Sequence, residues 1–134
     1  MENFKVASLK VKTQPKKYYN LTNMIEEQVR GSGVKNGFCI VLLKATTAGL
    51  ILNEDDPMLI EDLFDVFEKI SGEDEIWHHA DNAWSHIRSA LTGTSQFIQI
   101  SDGRLNLGAW QSILLLEFDV RPRERQIDLL IFGK

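Results

Sequence analysis

All three histidines of the chain fall within nine residues, in Trp77-His78-His79-Ala80-Asp81-Asn82-Ala83-Trp84-Ser85-His86. Neutral imidazole is the commonest metal ligand, and a turn leading into a helix can bring His78 or His79 round to face His86, with Asp81 as an oxygen ligand or as the group that orients an imidazole. The segment lacks the i, i+4 pair of a helical zinc site, and its two tryptophans equally suit a loop-to-helix corner that only packs. Thr46 and Thr47 set two hydroxyls between apolar strands, where they need backbone or ligand partners. Asn53-Glu54-Asp55-Asp56 leads into a helix start; capping explains Asp56, whereas Glu54 has no such explanation. Glu117 is the lone charge inside Ile113-Leu114-Leu115-Leu116-Glu117-Phe118, which implies an exposed strand face or a pair with Arg121, Arg123 or Arg125.

The elements that must position these groups follow from periodicity. Phe4, Val6 and then Leu9, Val11 alternate with a slip near Ala7-Ser8, which predicts a strand with a bulge. Asn20 or Thr22 caps a helix to Arg30 with the stripe Leu21, Met24, Ile25, Val29, and Gly31 stops it. Phe38 to Leu43 and Gly49 to Leu52 read as strands. Asp56 as N-cap and Pro57 at the first position open a second helix, with Leu59, Leu63, Val66, Phe67 and Ile70 on one face before Gly72. Asp81 or Asn82 caps a third helix through Ala83, Ile87, Ala90 and Leu91, ended by Gly93. Beyond it only strands are expected: Gln96 to Ile100, a turn at Asp102-Gly103, Leu105 to Leu107, Trp110 to Phe118, a loop at Arg121-Pro122-Arg123, and Gln126 to Phe132. The expected architecture is one α+β domain over residues 1–134, with about three helices on a mainly antiparallel sheet.

Composition narrows the function classes. A chain of 134 residues with 43% hydrophobic and 25% charged residues matches a globular protein and excludes a disordered or collagen-like one. The net charge of −4 is unevenly spread: residues 54–75 carry ten acids and one base, which leaves the remainder at +5. Nucleic acid is therefore not expected as a partner. The single cysteine, Cys39, lies in an apolar run and reads as a buried inert thiol, so no intrachain disulfide forms and a reducing compartment is expected. With no signal-peptide pattern and no apolar run near the roughly 20 residues of a span, the expectation is a cytoplasmic protein with no membrane partner.

Taken together, Thr46-Thr47-Ala48, Asn53-Glu54 with Asp56-Pro57, Trp77-His78, Asn82 to His86, Gly103-Arg104-Leu105, Leu107-Gly108, Trp110-Gln111, Glu117-Phe118-Asp119 and Arg121-Pro122-Arg123 resemble the YjbQ family, for which the name secondary thiamine-phosphate synthase is in use. The likeness covers about 90 residues from Lys44 onward, with the first 40 matching in layout. It implies an α+β fold, a homotrimer, and a site that uses histidines, here His78 and His86, as ligands of a divalent metal such as zinc or magnesium. The family pattern His-Thr-Thr-Ala reads Ala45-Thr46-Thr47-Ala48 in this chain, so one ligand imidazole is replaced by a methyl group; only His79, Asp81 or water would fill the gap.

The implied activity joins a pyrimidine diphosphate to a thiazole phosphate with loss of pyrophosphate. Such chemistry needs cations on the leaving group and donors that hold two phosphorylated molecules in register. The candidates are Arg88, Arg121 and Arg123 for phosphate, Thr46 and Thr47 as hydroxyl donors, and Asn82 and Gln111 for orientation. Glu54 and Glu117 would hold a magnesium ion or a basic ring nitrogen. A different class is a trimeric protein that binds a metal, a small phosphorylated metabolite or another anion without turnover, which Ala45 favours. A third is a hydrolase in which His86 is the general base, oriented by Glu117 or Asp81.

Overall fold

Strand β7 (Ser112–Glu117) explains how the molecule is layered. Its side chains alternate, so Ile113 and Leu115 enter one core while Leu114 and Leu116 enter another. A computed structural model describes residues 2–134. The other elements are β1 (Asn3–Thr13), β2 (Tyr18–Asn20), α1 (Thr22–Ser32), β3 (Gly37–Leu43), β4 (Ala48–Asn53), α2 (Pro57–Ile70), α3 (Ala83–Thr92), β5 (Ser95–Ser101), β6 (Arg104–Leu105) and β8 (Arg123–Gly133). They form two sheets rather than the single one expected: a five-stranded sheet in the order β1-β8-β3-β5-β6 and a three-stranded sheet in the order β2-β7-β4. Every pairing is antiparallel.

The main core lies between the inner face of the large sheet, one face of the small sheet and α1, and includes Ile25, Val41, Leu50, Ile98, Leu115 and Leu129. On the other face of the small sheet, α2 lays Ile60 and Phe67 over Leu114, Leu116 and Phe118. Both faces of β7 are thus covered by this chain itself. The exposed side of α2 carries Glu61, Asp62, Asp65 and Glu68, which accounts for much of the acidic block. The start of α2 forms as expected: Asp56 Oδ1 accepts the Met58 N–H at 3.0 Å, with Pro57 beside it.

Several expectations change. β1 runs in unbroken register with β8 from Asn3↔Gly133 to Thr13↔Arg123, so no bulge occurs near Ala7-Ser8. Phe4 and Val6 simply face outward, while Ala7, Leu9 and Val11 face the core. Helix α1 continues through Gly31 to Ser32, because Gly33, at φ 75°, supplies the left-handed ending. Its entry is held by the Thr22 N–H donating to Asn20 Oδ1 at 2.9 Å. β7 begins at Ser112, which leaves Trp110 exposed in the preceding loop, and β2 had no sequence signal of its own. Ala83 is buried on α3 as expected and Ile87 is half-buried, but the rest of the buried face is Trp84, Ser85, Arg88 and Ser89, while Ala90 and Leu91 are exposed. Ser89 Oγ donates to the Ala48 carbonyl at 2.7 Å, and a Cβ at Gly49 would collide with Thr92, so small residues let α3 lie directly on β4. No helix among the described residues is long and apolar enough to cross a membrane.

Candidate functional site

Five segments converge where the strand ends of both sheets meet the start of α3. Thr13 comes from the end of β1, Thr46 and Thr47 from the β3–β4 loop, and Asn82 and His86 from the first turns of α3. Glu117 and Asp119 come from the end of β7 and the residues after it, and Arg123 and Arg125 from the start of β8. Lys44, Ala45, Thr46, His86, Arg123 and Arg125 line an open cleft of about 480 Å3, with Asn82 and Thr47 at its wall.

Beneath the cleft lies a buried charge network. Arg125 meets Glu117 in two parallel contacts, Nε to Oε1 at 2.7 Å and Nη2 to Oε2 at 2.6 Å. The Arg125 and Glu117 side chains are 9% and 0% exposed. Thr13 Oγ1 donates to Glu117 Oε1 at 2.6 Å, and the Asp119 N–H donates to Oε2 at 3.0 Å. Both carboxylate oxygens are therefore occupied, as a buried charge requires. Arg125 Nη2 also donates to Thr47 Oγ1 at 2.7 Å, and that hydroxyl donates onward to Asp119 Oδ2 at 3.1 Å.

Asp119 is the second hub. Arg123 holds Oδ2 through Nε at 2.8 Å and Nη2 at 2.6 Å, while the Val120 N–H and Asn82 Nδ2 donate to Oδ1 at 2.7 and 3.3 Å. Burial pulls this carboxyl upward, but the Val120, Arg123, Asn82 and Thr47 hydrogen bonds outweigh it and hold the group at about 2. Asn82 is the N-cap of α3 by position, yet its side chain makes no cap bond and turns to Asp119 instead. The helix start thus serves the site rather than its own free N–H groups.

The site residues expected from sequence divide into those brought together and those placed elsewhere. Thr46, Thr47, Asn82, His86, Glu117 and Arg123 share the network or its cleft. Glu117 takes the paired alternative, with Arg125 as the partner among the three arginines considered. Glu54 lines a separate cleft of about 360 Å3 beside Asp56 and Trp110. Gln111 only closes its own loop, its Oε1 accepting the Gly108 N–H at 2.8 Å. Arg88 is 2% exposed and points to the end of α2, where Nε donates to Ser71 Oγ and Nη2 to Glu68 and the Ser71 carbonyl; it secures a helix end and does not reach the cleft. Arg121 is exposed outside the cleft. Lys44, Asp119 and Arg125 carry more of the site than the sequence reading assigned to them; two acids and two arginines at alternate positions, 117, 119, 123 and 125, were the available signal.

The histidines do not assemble into the expected ligand set. His79 and His86 meet edge to face with ring centroids 5.1 Å apart, while His78 is exposed. Among the described residues no three His, Cys, Asp or Glu side chains converge as a metal site would need. Ala45 lines the cleft beside His86 with a methyl group, and the oxygens of Glu117 and Asp119 are taken by protein donors. The donor set does not fit a divalent cation.

Residues 7–134 match the family model described as UPF0047 protein YjbQ-like. The chain is 39% identical over 132 residues to a UPF0047 protein of Synechocystis, covering 94% of this chain and 90% of that one. To the UPF0047 protein YugU of Bacillus subtilis it is 32% identical, covering 94% and 98%. Among solved structures, a hypothetical protein from Aeropyrum pernix superposes with a TM-score of 0.91 at 35% identity, covering 97% and 99% of the two chains. A YbjQ-like protein of unknown function from Sulfolobus solfataricus gives 0.88 at 28% identity, covering 98% and 99%. By its fold and over nearly its whole length, the chain belongs to the YjbQ-like UPF0047 family.

Proposed function

We propose that the cleft binds a small phosphorylated metabolite, and that the protein uses it as the sequence resemblance implies, joining a pyrimidine diphosphate to a thiazole phosphate with release of pyrophosphate. One observation carries this reading: Lys44, Arg123 and Arg125 border one open cleft, against two carboxylates that are buried and fully bonded. In such a displacement the thiazole nitrogen bonds to the methylene carbon as the carbon–oxygen bond to pyrophosphate breaks. Negative charge then grows on the leaving group, where fixed cations act most strongly. Glu117 and Asp119 hold the arginines in place in advance, so little reorganisation accompanies that charge. His86 and Thr46, at the cleft wall, supply donors to the same phosphate oxygens. No step requires a resident metal.

The test is direct. Protein purified from a host without a dedicated thiamine-phosphate synthase is given both phosphorylated substrates, and thiamine phosphate and pyrophosphate are measured. Equal release of both products supports the reading, with loss in His86→Ala. Binding of the diphosphate with no product would favour the second reading, a binding protein without turnover. Ala45 supports that alternative, because it removes an imidazole which the family pattern supplies.

The homotrimer is likewise a proposal. Its support is an apolar strip on the outer face of the large sheet: Phe4 and Phe97 are 66% and 61% exposed, and the Phe38 ring packs at a tilt with centroids 5.0 Å from Phe97 and 5.2 Å from Phe132. Light scattering that gave the 15.3 kDa monomer mass would refute it.

A further inference from the structure

We infer that Arg123 and Arg125 form a direct seat for a phosphate or pyrophosphate group, which binds with no bridging metal ion. The inference rests on the phosphorylated-metabolite reading above and specifies how the ligand is held. Arg123 and Arg125 are two apart on β8, so both project from the same face of the strand. Each guanidinium is clamped by its own carboxylate through Nε and Nη2. Among the described residues Nη1 of each has no protein partner; the Arg123 side chain is 39% exposed, and Arg125 Nη1 is not among the buried unsatisfied atoms although its residue is buried. Two such donors, already oriented, match the oxygens of a phosphate group.

The same arrangement works against a cation. A divalent ion in the cleft would meet one imidazole on its wall, His86, whose ring packs against His79, a methyl group at Ala45 where a further donor would stand, and two guanidiniums and Lys44 repelling it. Glu117 and Asp119 already accept four hydrogen bonds each and have little capacity left to ligate. An anion meets the opposite balance at every one of these groups.

The experiment is calorimetric titration of the intact protein with inorganic pyrophosphate, first in EDTA and then in excess magnesium, together with zinc titrated alone. The expected result is one site per chain whose affinity in EDTA is within about threefold of that in magnesium, and no stoichiometric zinc binding. Arg123→Gln lowers the pyrophosphate affinity at least tenfold, with an unchanged circular dichroism spectrum. Binding that disappears in EDTA and returns with magnesium or zinc would overturn direct seating while leaving the phosphorylated-metabolite reading intact. Absence of binding in every buffer would overturn both. Full affinity in folded Arg123→Gln would overturn the assignment of the seat.

Discussion

Replacing Glu117 by Gln isolates the charge at the bottom of the site. The side chain keeps its shape and can still accept from Thr13, but Arg125 becomes a 9% exposed guanidinium facing a neutral amide, with the Thr47 hydroxyl as its other contact. Breaking a buried ion pair from one side costs about 3–5 kcal/mol, and retention of one acceptor puts this variant near the lower end, about 3 kcal/mol. With a urea m-value of about 2 kcal/mol per molar, the unfolding midpoint falls by about 1.5 M. The assay is urea unfolding followed by tryptophan fluorescence and circular dichroism, with coincident transitions required. Arg125→Met is measured in parallel, since it leaves Glu117 charged and bonded only to Thr13 and the Asp119 N–H. The double variant removes both charges, so its loss should fall short of the sum of the singles by about 2 kcal/mol. A single-variant midpoint shift below about 0.5 M, or simple additivity, would show that water reaches the pair and would refute the buried network.

Other consequences concern individual groups. Asp119 titrates at about 2 in the folded chain against an ordinary 3.8, so the stability it contributes is complete above about pH 4 and is lost as pH falls from there towards 2. Acid unfolding of Asp119→Asn compared with the parent should therefore lack that part of the slope; an unchanged slope would contradict the assignment. Burial pushes the Cys39 thiol up to about 12, with Glu26 adding to the effect, so an aromatic disulfide reagent at pH 8 should label it only as fast as the protein unfolds. Tyr18 donates to Asp55 Oδ1 at 2.7 Å, and that bond, with smaller help from burial and the nearby acids, raises its phenol to about 12. Ultraviolet titration should find a tyrosine that ionises near pH 12 in the parent and at lower pH in Asp55→Asn.

How much of the site was legible in the sequence differed from residue to residue. Glu117 stood out because a charge within five apolar neighbours must be paired or exposed, and the structure pairs it with Arg125. Asn82 and His86 were found through the histidine cluster, although Asn82 serves Asp119 rather than the helix cap. Arg88 was misplaced because a lone arginine on a helix looks like a surface cation; its burial depends on where α2 ends, at Ser71, seventeen residues away. Glu54 and Gln111 carried suitable chemistry but lie on elements that open elsewhere.

Local physics, acting over a few residues, determined the antiparallel α+β character, the α2 start at Asp56-Pro57 and the tight Asp102-Gly103 turn, with φ of 52° and 78°. The order of the motifs likewise set the family. Tertiary structure alone decided that two sheets form, that β1 is straight, and that α3 buries serines and an arginine against β4 and the end of α2. It also decided that the carboxylates are consumed by arginines rather than left for a metal. Pairings between residues 13 and 117, 47 and 125, or 82 and 119 join strand ends, a loop and a helix start far apart in sequence, and no periodicity within a segment encodes which of them will meet.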